Sequence, residues 1–182
     1  TITSRWSYAA SKIVDEFLAL AYRREFGVPA VVVRLFNTIG PRQTGEYGMV
    51  VPRFVRQAIG NQNLTVFGTG RQARAFTDVT DVVEWLVRLG VRENAIGEVV
   101  NLGNTREISV ADLAARVIAI TESRSRIEYL PYSQVYGEGF EDIERRVPDI
   151  AKAVALTGYT PQVSLDQSIE RVQAWCSQRV PA

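Results

Sequence analysis

Residues 30–36 read Ala-Val-Val-Val-Arg-Leu-Phe, and this stretch decides the fold class. It is a run of apolar, mostly β-branched residues with no polar alternation before Arg34. Such a run is typical of a parallel strand that is covered on both faces. A helical pattern occupies residues 7–26, and Gly27 and Pro29 separate it from the strand. Because helix, short loop and buried strand form half of a βαβ unit, the sequence predicts an α/β fold with a parallel sheet.

The predicted helix at residues 7–26 carries a tyrosine and a lysine on one face. Tyr8 and Lys12 are four residues apart, which places them one helical turn from each other. An ammonium group beside a phenol favours the phenolate form, so such a pair can shuttle a proton near neutral pH. The alternative is a tyrosine that packs on the core beside a solvated lysine. The same helix is apolar over most of its girth, which indicates burial on two sides, by a sheet and by a partner subunit.

Composition excludes several kinds of site. The 182 residues include no histidine and a single cysteine, Cys176, so zinc sites, Cys-His pairs and Ser-His-Asp triads are excluded, and we expect no metal. Cys176 lies in an amphipathic pattern and is expected to pack in the core. The net charge is +1 and the basic residues are scattered, which argues against a nucleic-acid partner. No apolar run approaches the length of a membrane span, and we expect a cytoplasmic protein with no membrane partner.

The rest of the chain predicts further alternation of helices and strands. Helices are expected at 50–59, from Asp81 to about 92, from Ser109 to about 122, from Pro148 to about 157, and from Ser164 onwards. Strands are expected at 64–67, 98–102 and 127–130, with an extended stretch at 71–78. Asp81 with Glu84 resembles a capping box. The stretches 43–48 and 131–147 are expected to be irregular.

Several short motifs appear in a fixed order along the chain. They are Tyr-x-x-x-Lys, Val-Arg-Leu-Phe-Asn-Thr-Ile-Gly-Pro-Arg, Val-Pro-Arg-Phe, Leu-Thr-Val-Phe-Gly, Arg-Ala-Phe-Thr-Asp-Val-Thr-Asp, Asn-Leu-Gly-Asn and Arg-Arg-Val-Pro-Asp-Ile. In this order they resemble the extended short-chain dehydrogenases/reductases, and within them the NAD-dependent nucleotide-sugar epimerase/dehydratase group. The resemblance runs from about Ser4 to the last helix.

The resemblance implies the second half of a Rossmann-type parallel sheet plus a smaller α/β substrate-binding domain. We expect residues 1–40 and 77–104 in the NAD-binding part, and residues 41–76 and 105–182 in the nucleotide-sugar part. In the family a glycine-rich NAD-binding loop lies well before the tyrosine, and Tyr8 has only seven residues before it. The sequence therefore looks like the carboxyl-terminal portion of such an enzyme, and it is expected to be inactive alone.

The resemblance also assigns roles to individual residues. Tyr8 becomes the general base, and Lys12 favours its phenolate form and hydrogen-bonds the nicotinamide ribose of NAD. Further cofactor contacts are expected at Phe36 and Thr38. Substrate contacts are expected at Asn37 (sugar diphosphate), Arg74 (phosphates), Arg146 (phosphate or ribose, with Arg145 open as the alternative), and Val51, Thr65 and Phe67 (nucleotide base).

The implied activity is NAD-dependent 4-epimerisation of a UDP-sugar through a keto intermediate. UDP-glucuronate decarboxylase and nucleotide-sugar 4,6-dehydratase are the alternatives within the group. A non-catalytic module that binds nucleotide sugars is the alternative from another class. The family dimerises through the Tyr/Lys helix, so a homodimer is expected to form through the helix that carries Tyr8 and Lys12.

Overall fold

Helices and strands alternate along most of the chain, as the sequence predicts. The computed structural model describes residues 5–45, 49–136 and 143–178. Its helices are α1 (Arg5–Phe26), α2 (Val50–Ile59), α3 (Val79–Gly90), α4 (Val110–Ile120), α5 (Tyr132–Tyr136), α6 (Ala151–Thr157) and α7 (Leu165–Ser177), with a 3₁₀ turn at Glu93–Ala95. Its strands are β1 (Val32–Leu35), β2 (Thr38–Ile39), β3 (Leu64–Phe67), β4 (Ala73–Ala75), β5 (Thr77–Asp78), β6 (Val99–Leu102), β7 (Glu107–Ser109), β8 (Ile127–Leu130) and β9 (Arg145–Arg146).

The predicted strand within residues 30–36 is β1, and it pairs in parallel with β6. Side chains alternate along a strand, so residues two apart share a face. Val31 and Val33 pack on one side against a core that contains Trp85 of α3. On the other side Arg34 hydrogen-bonds Glu16 of α1. Helices therefore lie on both faces of this parallel pair.

A second, larger core joins α2, α4 and α7. Its fully buried members include Phe54, Leu113 and Ile169, one from each helix. β3 pairs in parallel with β8 beside this core, and Leu64 and Val66 of β3 belong to it. In the last helix, Ile169 and Val172 are buried in this core and Trp175 is partly buried. Cys176 is buried beside them, so its predicted place in the core is confirmed.

A three-stranded sheet has β4 at its centre. β4 pairs antiparallel with β7 on one side and in parallel with β9 on the other. In the parallel pair, Arg74 stands opposite Arg146. A separate parallel pair, β2 with β5, follows the end of β1 and connects it to α3. The sheet thus brings residues from distant parts of the chain next to the end of β1.

The start of α3 differs from the prediction. Asp78, not Asp81, is the N-cap, since its carboxylate accepts a hydrogen bond from the backbone N–H of Thr80. Asp81 instead lies in the first turn with its carboxylate buried. The proposed Asp81–Glu84 capping box is therefore wrong. The spacing of a capping box was present, but Asp81 is drawn inward by donors more than 70 residues away.

The start of α6 also differs from the prediction. The helix begins at Ala151, three residues after Pro148. The Asp149 carboxylate accepts a hydrogen bond from the N–H of Ala151. Pro148 is buried against Gly103, where an added Cβ would lie 2.5 Å from the proline Cγ. The proline is therefore explained by close packing and not by a place in the first helical turn.

The irregular stretches are described only in part. The structure does not describe residues 46–48 of the predicted loop 43–48. In the stretch 131–147 it does not describe residues 137–142. The described part of the second stretch contains α5 and β9. In the ranges the structure describes, no helix is long and apolar enough to cross a membrane.

The outer face of α1 is apolar and exposed. Phe17 is 71% exposed, and Val14, Leu18 and Tyr22 are more than half exposed. Within the described residues α1 packs against β1. The predicted cover of its other side by a partner subunit stays a prediction.

Candidate active site

A groove with a volume of about 900 Å³ lies between α1 and β1. Tyr8 and Lys12 line it from α1, and Phe36 lines it just beyond the end of β1. Arg146 of β9 also lines it. The rest of the lining is mostly apolar. The fold therefore brings four of the residues predicted from the sequence to one groove, which runs along β1 as far as Phe36 at its carboxyl end. This end of a parallel strand is where ligands bind in open α/β sheets.

Tyr8 and Lys12 lie on the same face of α1, as their spacing predicts. The Lys12 ammonium nitrogen is 5.6 Å from the centroid of the Tyr8 ring. Tyr8 is 71% exposed and so is accessible from solvent. Lys12 Nζ donates a hydrogen bond of 2.7 Å to Asp15, and this bond raises the pKa of the Lys12 ammonium above its ordinary value. Lys12 therefore stays cationic beside the phenol.

An ion pair whose two members also line the groove connects α1 to β1. Arg34 Nε and Nη2 each donate to one oxygen of the Glu16 carboxylate, at 2.7 and 2.6 Å. The hydrogen bond from Arg34 lowers the pKa of Glu16, so the pair remains charged at neutral pH. A planar bidentate pair fixes orientation as well as distance. It therefore sets the position of the helix that carries Tyr8 and Lys12 relative to the strand.

Asn37 follows Phe36 and connects the groove to β4. Its backbone φ is 36°, in the left-handed region that asparagine tolerates better than most residues. Its Nδ2 donates to the carbonyl of Ala75 at 2.8 Å, and its Oδ1 accepts from Arg146 Nη2 at 2.5 Å. Asn37 is thereby held in one orientation beside an arginine that lines the groove.

The two adjacent arginines of β9 have different surroundings. Arg145 is paired with the Glu107 carboxylate of β7, and the hydrogen bond from Arg145 lowers the pKa of Glu107. Arg146 instead reaches Asn37 and the groove. Arg74 lies beside Arg146 in the sheet, and its Nη1 donates to the carbonyls of Ala73 and Glu144. Of the two arginines left open by the sequence, Arg146 is the one near Asn37 and Arg74.

Thr38 lies at the start of β2, one residue beyond Asn37. Its hydroxyl oxygen is buried and has no hydrogen-bond partner among the described residues. A buried hydroxyl without a partner costs free energy, so a polar group of a ligand at this position would be stabilising.

The residues predicted to contact a nucleotide base lie on α2 and β3. Val51 is fully buried in the larger core, so its side chain does not face a surface. Thr65 and Phe67 are half-buried and share one face of β3. The Arg53 guanidinium carbon lies 4.0 Å from the centroid of the Phe67 ring, and Arg53 Nη1 donates to Thr65 Oγ1 at 3.1 Å.

Some residues at these sites were not found by reasoning from the sequence. Asp15 and Glu16 are ordinary polar positions of a helical pattern, and nothing in the sequence indicates that they pair with Lys12 and Arg34. Arg53 was part of the motif Val-Pro-Arg-Phe, so the signal was present, but no role followed from it. Gln57 lies one helical turn after Arg53, a spacing that places both on the same face of α2.

Comparisons with known proteins agree on one family. The model of the NAD dependent epimerase/dehydratase family matches residues 1–103. A UDP-N-acetyl-alpha-D-glucosaminuronate decarboxylase from Bacillus cytotoxicus is 39% identical over 94% of this chain and 53% of its own length. The structure of an epimerase from Methanothermobacter thermautotrophicus has a TM-score of 0.86 at 32% identity, over 98% of this chain and 52% of that one. The structure of UDP-glucuronic acid 4-epimerase from Bacillus cereus, in complex with UDP-glucuronic acid and NAD, has a TM-score of 0.83 at 32% identity, over 94% and 52%.

The chain belongs to the NAD-dependent epimerase/dehydratase family. The resemblance inferred from the motifs and the α/β fold class are both confirmed. The chain spans about half the length of the curated relatives it matches.

Proposed function

We propose that this chain provides the proton-transfer residues and the diphosphate contacts of an NAD-dependent nucleotide-sugar epimerase. The observation that carries the proposal is the groove between α1 and β1, where the Tyr8 phenol and the Lys12 ammonium share one helix face beside the strand end at Phe36. The proposed reaction is 4-epimerisation of a UDP-sugar through a 4-keto intermediate.

The groove residues fit the nicotinamide end of NAD. The strand end at Phe36 offers an apolar wall of the groove. Thr38 lies two residues further along the chain, outside the groove lining, and its buried hydroxyl has hydrogen-bonding capacity that the described residues leave unused. Asp15 uses one of the three donors of the Lys12 ammonium, which leaves two for the hydroxyls of a ribose. When bound, NAD accepts the hydride that leaves the sugar carbon.

Tyr8 is the proposed general base for the same carbon. Its phenolate takes the proton of the sugar 4-hydroxyl as the C–H bond at C4 breaks, so the hydroxyl becomes a carbonyl and the tyrosine becomes a neutral phenol. Lys12 stabilises the phenolate before this transfer through its positive charge. A proton returned by Tyr8 when the carbonyl is reduced from its other face completes the epimerisation.

The proposed diphosphate contacts are Arg74 and Arg146, with Asn37 between the strand end and Arg146. Guanidinium groups bind phosphate oxygens through two parallel hydrogen bonds, which suits a diphosphate. The support is the pairing of Arg74 with Arg146 in the sheet and the hydrogen bond from Arg146 to Asn37. Thr65 and Phe67 are the proposed side-chain contacts of the base, whereas Val51 is fully buried.

Decarboxylation is a second candidate outcome, and the relatives favour it. Curated relatives at 34–39% identity are decarboxylases of UDP-glucuronic acid or of UDP-N-acetyl-glucosaminuronate. Oxidation at C4, in which Tyr8 would take the proton and bound NAD would accept the hydride, serves either outcome. A 4-keto group next to C5 also stabilises the negative charge left on C5 when a carboxylate there departs as carbon dioxide.

We also propose the domain division and the homodimer expected from the sequence. Residues 1–40 and 77–104 would form the NAD-binding part, and residues 41–76 and 105–182 the nucleotide-sugar part. The exposed apolar face of α1 supports an interface through this helix. Inactivity of the chain alone and a cytoplasmic location remain predictions.

Product analysis by NMR tests the proposed reaction. An enzyme that contains this chain is given NAD with UDP-glucose or with UDP-glucuronate. Appearance of the 4-epimer is the expected result. Release of carbon dioxide with formation of a UDP-pentose would contradict epimerisation and support decarboxylation as the reaction. No change in either sugar would contradict the proposed substrate class.

A further inference from the structure

Two side chains of α2, Gln57 and Arg53, determine which hydrogen bonds the Thr65 hydroxyl accepts. The backbone N–H of Thr65 donates to Gln57 Oε1 at 3.2 Å, which fixes which end of the Gln57 amide faces the strand. The other end, Nε2, then donates to Thr65 Oγ1 at 3.1 Å. Because an amide NH₂ only donates, Thr65 Oγ1 must act as an acceptor in this bond.

Arg53 fills the second acceptor site of the same oxygen. Its Nη1 donates to Thr65 Oγ1 at 3.1 Å, and a guanidinium has no acceptor. A threonine hydroxyl has two lone pairs and one O–H. With both lone pairs used, the O–H must point away from Arg53 and Gln57, and no acceptor for it is found among the described residues.

The face of β3 that carries Thr65 is partly exposed. Thr65 and Phe67 lie on the same half-buried face of β3, and the Arg53 guanidinium covers the Phe67 ring at 4.0 Å. Aromatic rings and guanidinium planes both stack on planar bases. The face therefore combines a stacking surface with one hydrogen-bond donor of fixed direction.

We propose that Gln57 and Arg53 fix the Thr65 hydroxyl as a donor, so that this site selects a pyrimidine base that presents a carbonyl oxygen to it. An amino group at the same position would bring two donors together and leave both without a partner, which is unfavourable. Gln57 is in this view a positioning residue that acts through Thr65. The inference rests on the proposed function and names the chemical feature of the base that this function requires.

Binding of UDP, CDP and 2-thio-UDP to the 182-residue chain, measured by calorimetry, tests the inference. CDP replaces the 4-carbonyl of uracil by an amino group, and 2-thio-UDP replaces the 2-carbonyl by a poorer acceptor. The wild type is expected to bind UDP at least about tenfold more tightly than one of the two analogues, since one good hydrogen bond changes affinity by about this factor.

The variant Gln57→Glu keeps the side-chain size but is expected to make the Thr65 hydroxyl donate to residue 57 instead of accepting from it. A carboxylate accepts from both the N–H and the O–H of Thr65, so the O–H turns inward and the preference for UDP falls to within about twofold. Thr65→Val removes the donor and is expected to give the same loss. Gln62→Glu, at an exposed position next to α2, adds the same charge and is expected to keep the preference.

Three results would overturn the inference. Equal affinities of the wild type for UDP and both analogues would contradict the selection while leaving the proposed function in place. An unchanged preference in Gln57→Glu, folded as judged by circular dichroism, would contradict the role of Gln57. Failure of the wild type to bind UDP at all would contradict the proposed nucleotide-sugar function together with the inference.

Discussion

The Asp81 carboxylate in the first turn of α3 is buried and carries several hydrogen bonds. It accepts hydrogen bonds from the Tyr159 hydroxyl at 2.6 Å and from the backbone N–H groups of Gln162 and Val163. A buried carboxylate without such partners would cost several kcal/mol. The network therefore holds the segment before α7 against α3. Burial, with the hydrogen bond to Asp81, raises the pKa of Tyr159 to about 12.

Tyr159→Phe is expected to lower the free energy of unfolding by about 1.5–3 kcal/mol at pH 7, the usual range for a hydrogen bond to a charged group. The folded pKa lies above the unfolded value of about 10, so the tyrosine's contribution is complete below pH 10 and is lost as the pH rises towards 12. The difference between wild type and Tyr159→Phe should accordingly shrink over this window. Urea unfolding of the wild type and of Tyr159→Phe at pH 7, 9 and 11 measures this difference in the free energy of unfolding.

Tyr129→Phe is the matched control, because Tyr129 is exposed. It is expected to change the free energy of unfolding by less than about 0.5 kcal/mol. A stability loss of equal size in Tyr129→Phe and Tyr159→Phe would contradict the importance of the Asp81 network.

Among the elements, α1 is the one whose apolar sequence pattern agrees least with the burial of its side chains within this chain. Its apolar residues surround most of the helix, and β1 covers only one side. Val14, Phe17, Leu18 and Tyr22 recur at three- and four-residue spacing, which places them along one exposed stripe. An exposed stripe of this kind is typical of an interaction surface. The apolar residues on two sides of α1 could be recognised from the sequence. The sequence did not determine how much of this apolar surface is buried within the chain.

Phe17→Glu is expected to weaken self-association of the chain. Phe17 is 71% exposed in the middle of the stripe, so a charge there would be buried in any interface formed by α1. Sedimentation velocity at micromolar concentration should show associated species for the wild type and mainly monomer for the variant. Val91→Glu places the same charge at a 78% exposed valine after α3, and this control should associate like the wild type. A wild type that stays monomeric at the highest attainable concentration would contradict the proposed interface.

At the scale of the whole molecule, local patterns were predictable and distant pairings were not. The helix Val50–Ile59 and the strand Leu64–Phe67 have the bounds expected from the sequence, because periodicity and flanking glycines act locally. The convergence of Phe36 and Arg146 on one groove followed only from resemblance. The contact between Asn37 and Arg146 joins residues 109 positions apart, and the bond between Tyr159 and Asp81 joins residues 78 apart. No local rule gives such pairings, which is also why Asp81 was mistaken for a helix cap.

The central claim is that Tyr8, with Lys12, performs the proton transfer, and the most direct test is the turnover rate of Tyr8→Phe. In an enzyme that contains this chain, Tyr8→Phe is expected to lower kcat at least about 100-fold, the usual contribution of a general base, while UDP binding measured by calorimetry stays unchanged. Tyr129→Phe, a change of the same kind outside the groove, is expected to keep kcat within about twofold. Turnover by Tyr8→Phe at the wild-type rate would contradict the claim.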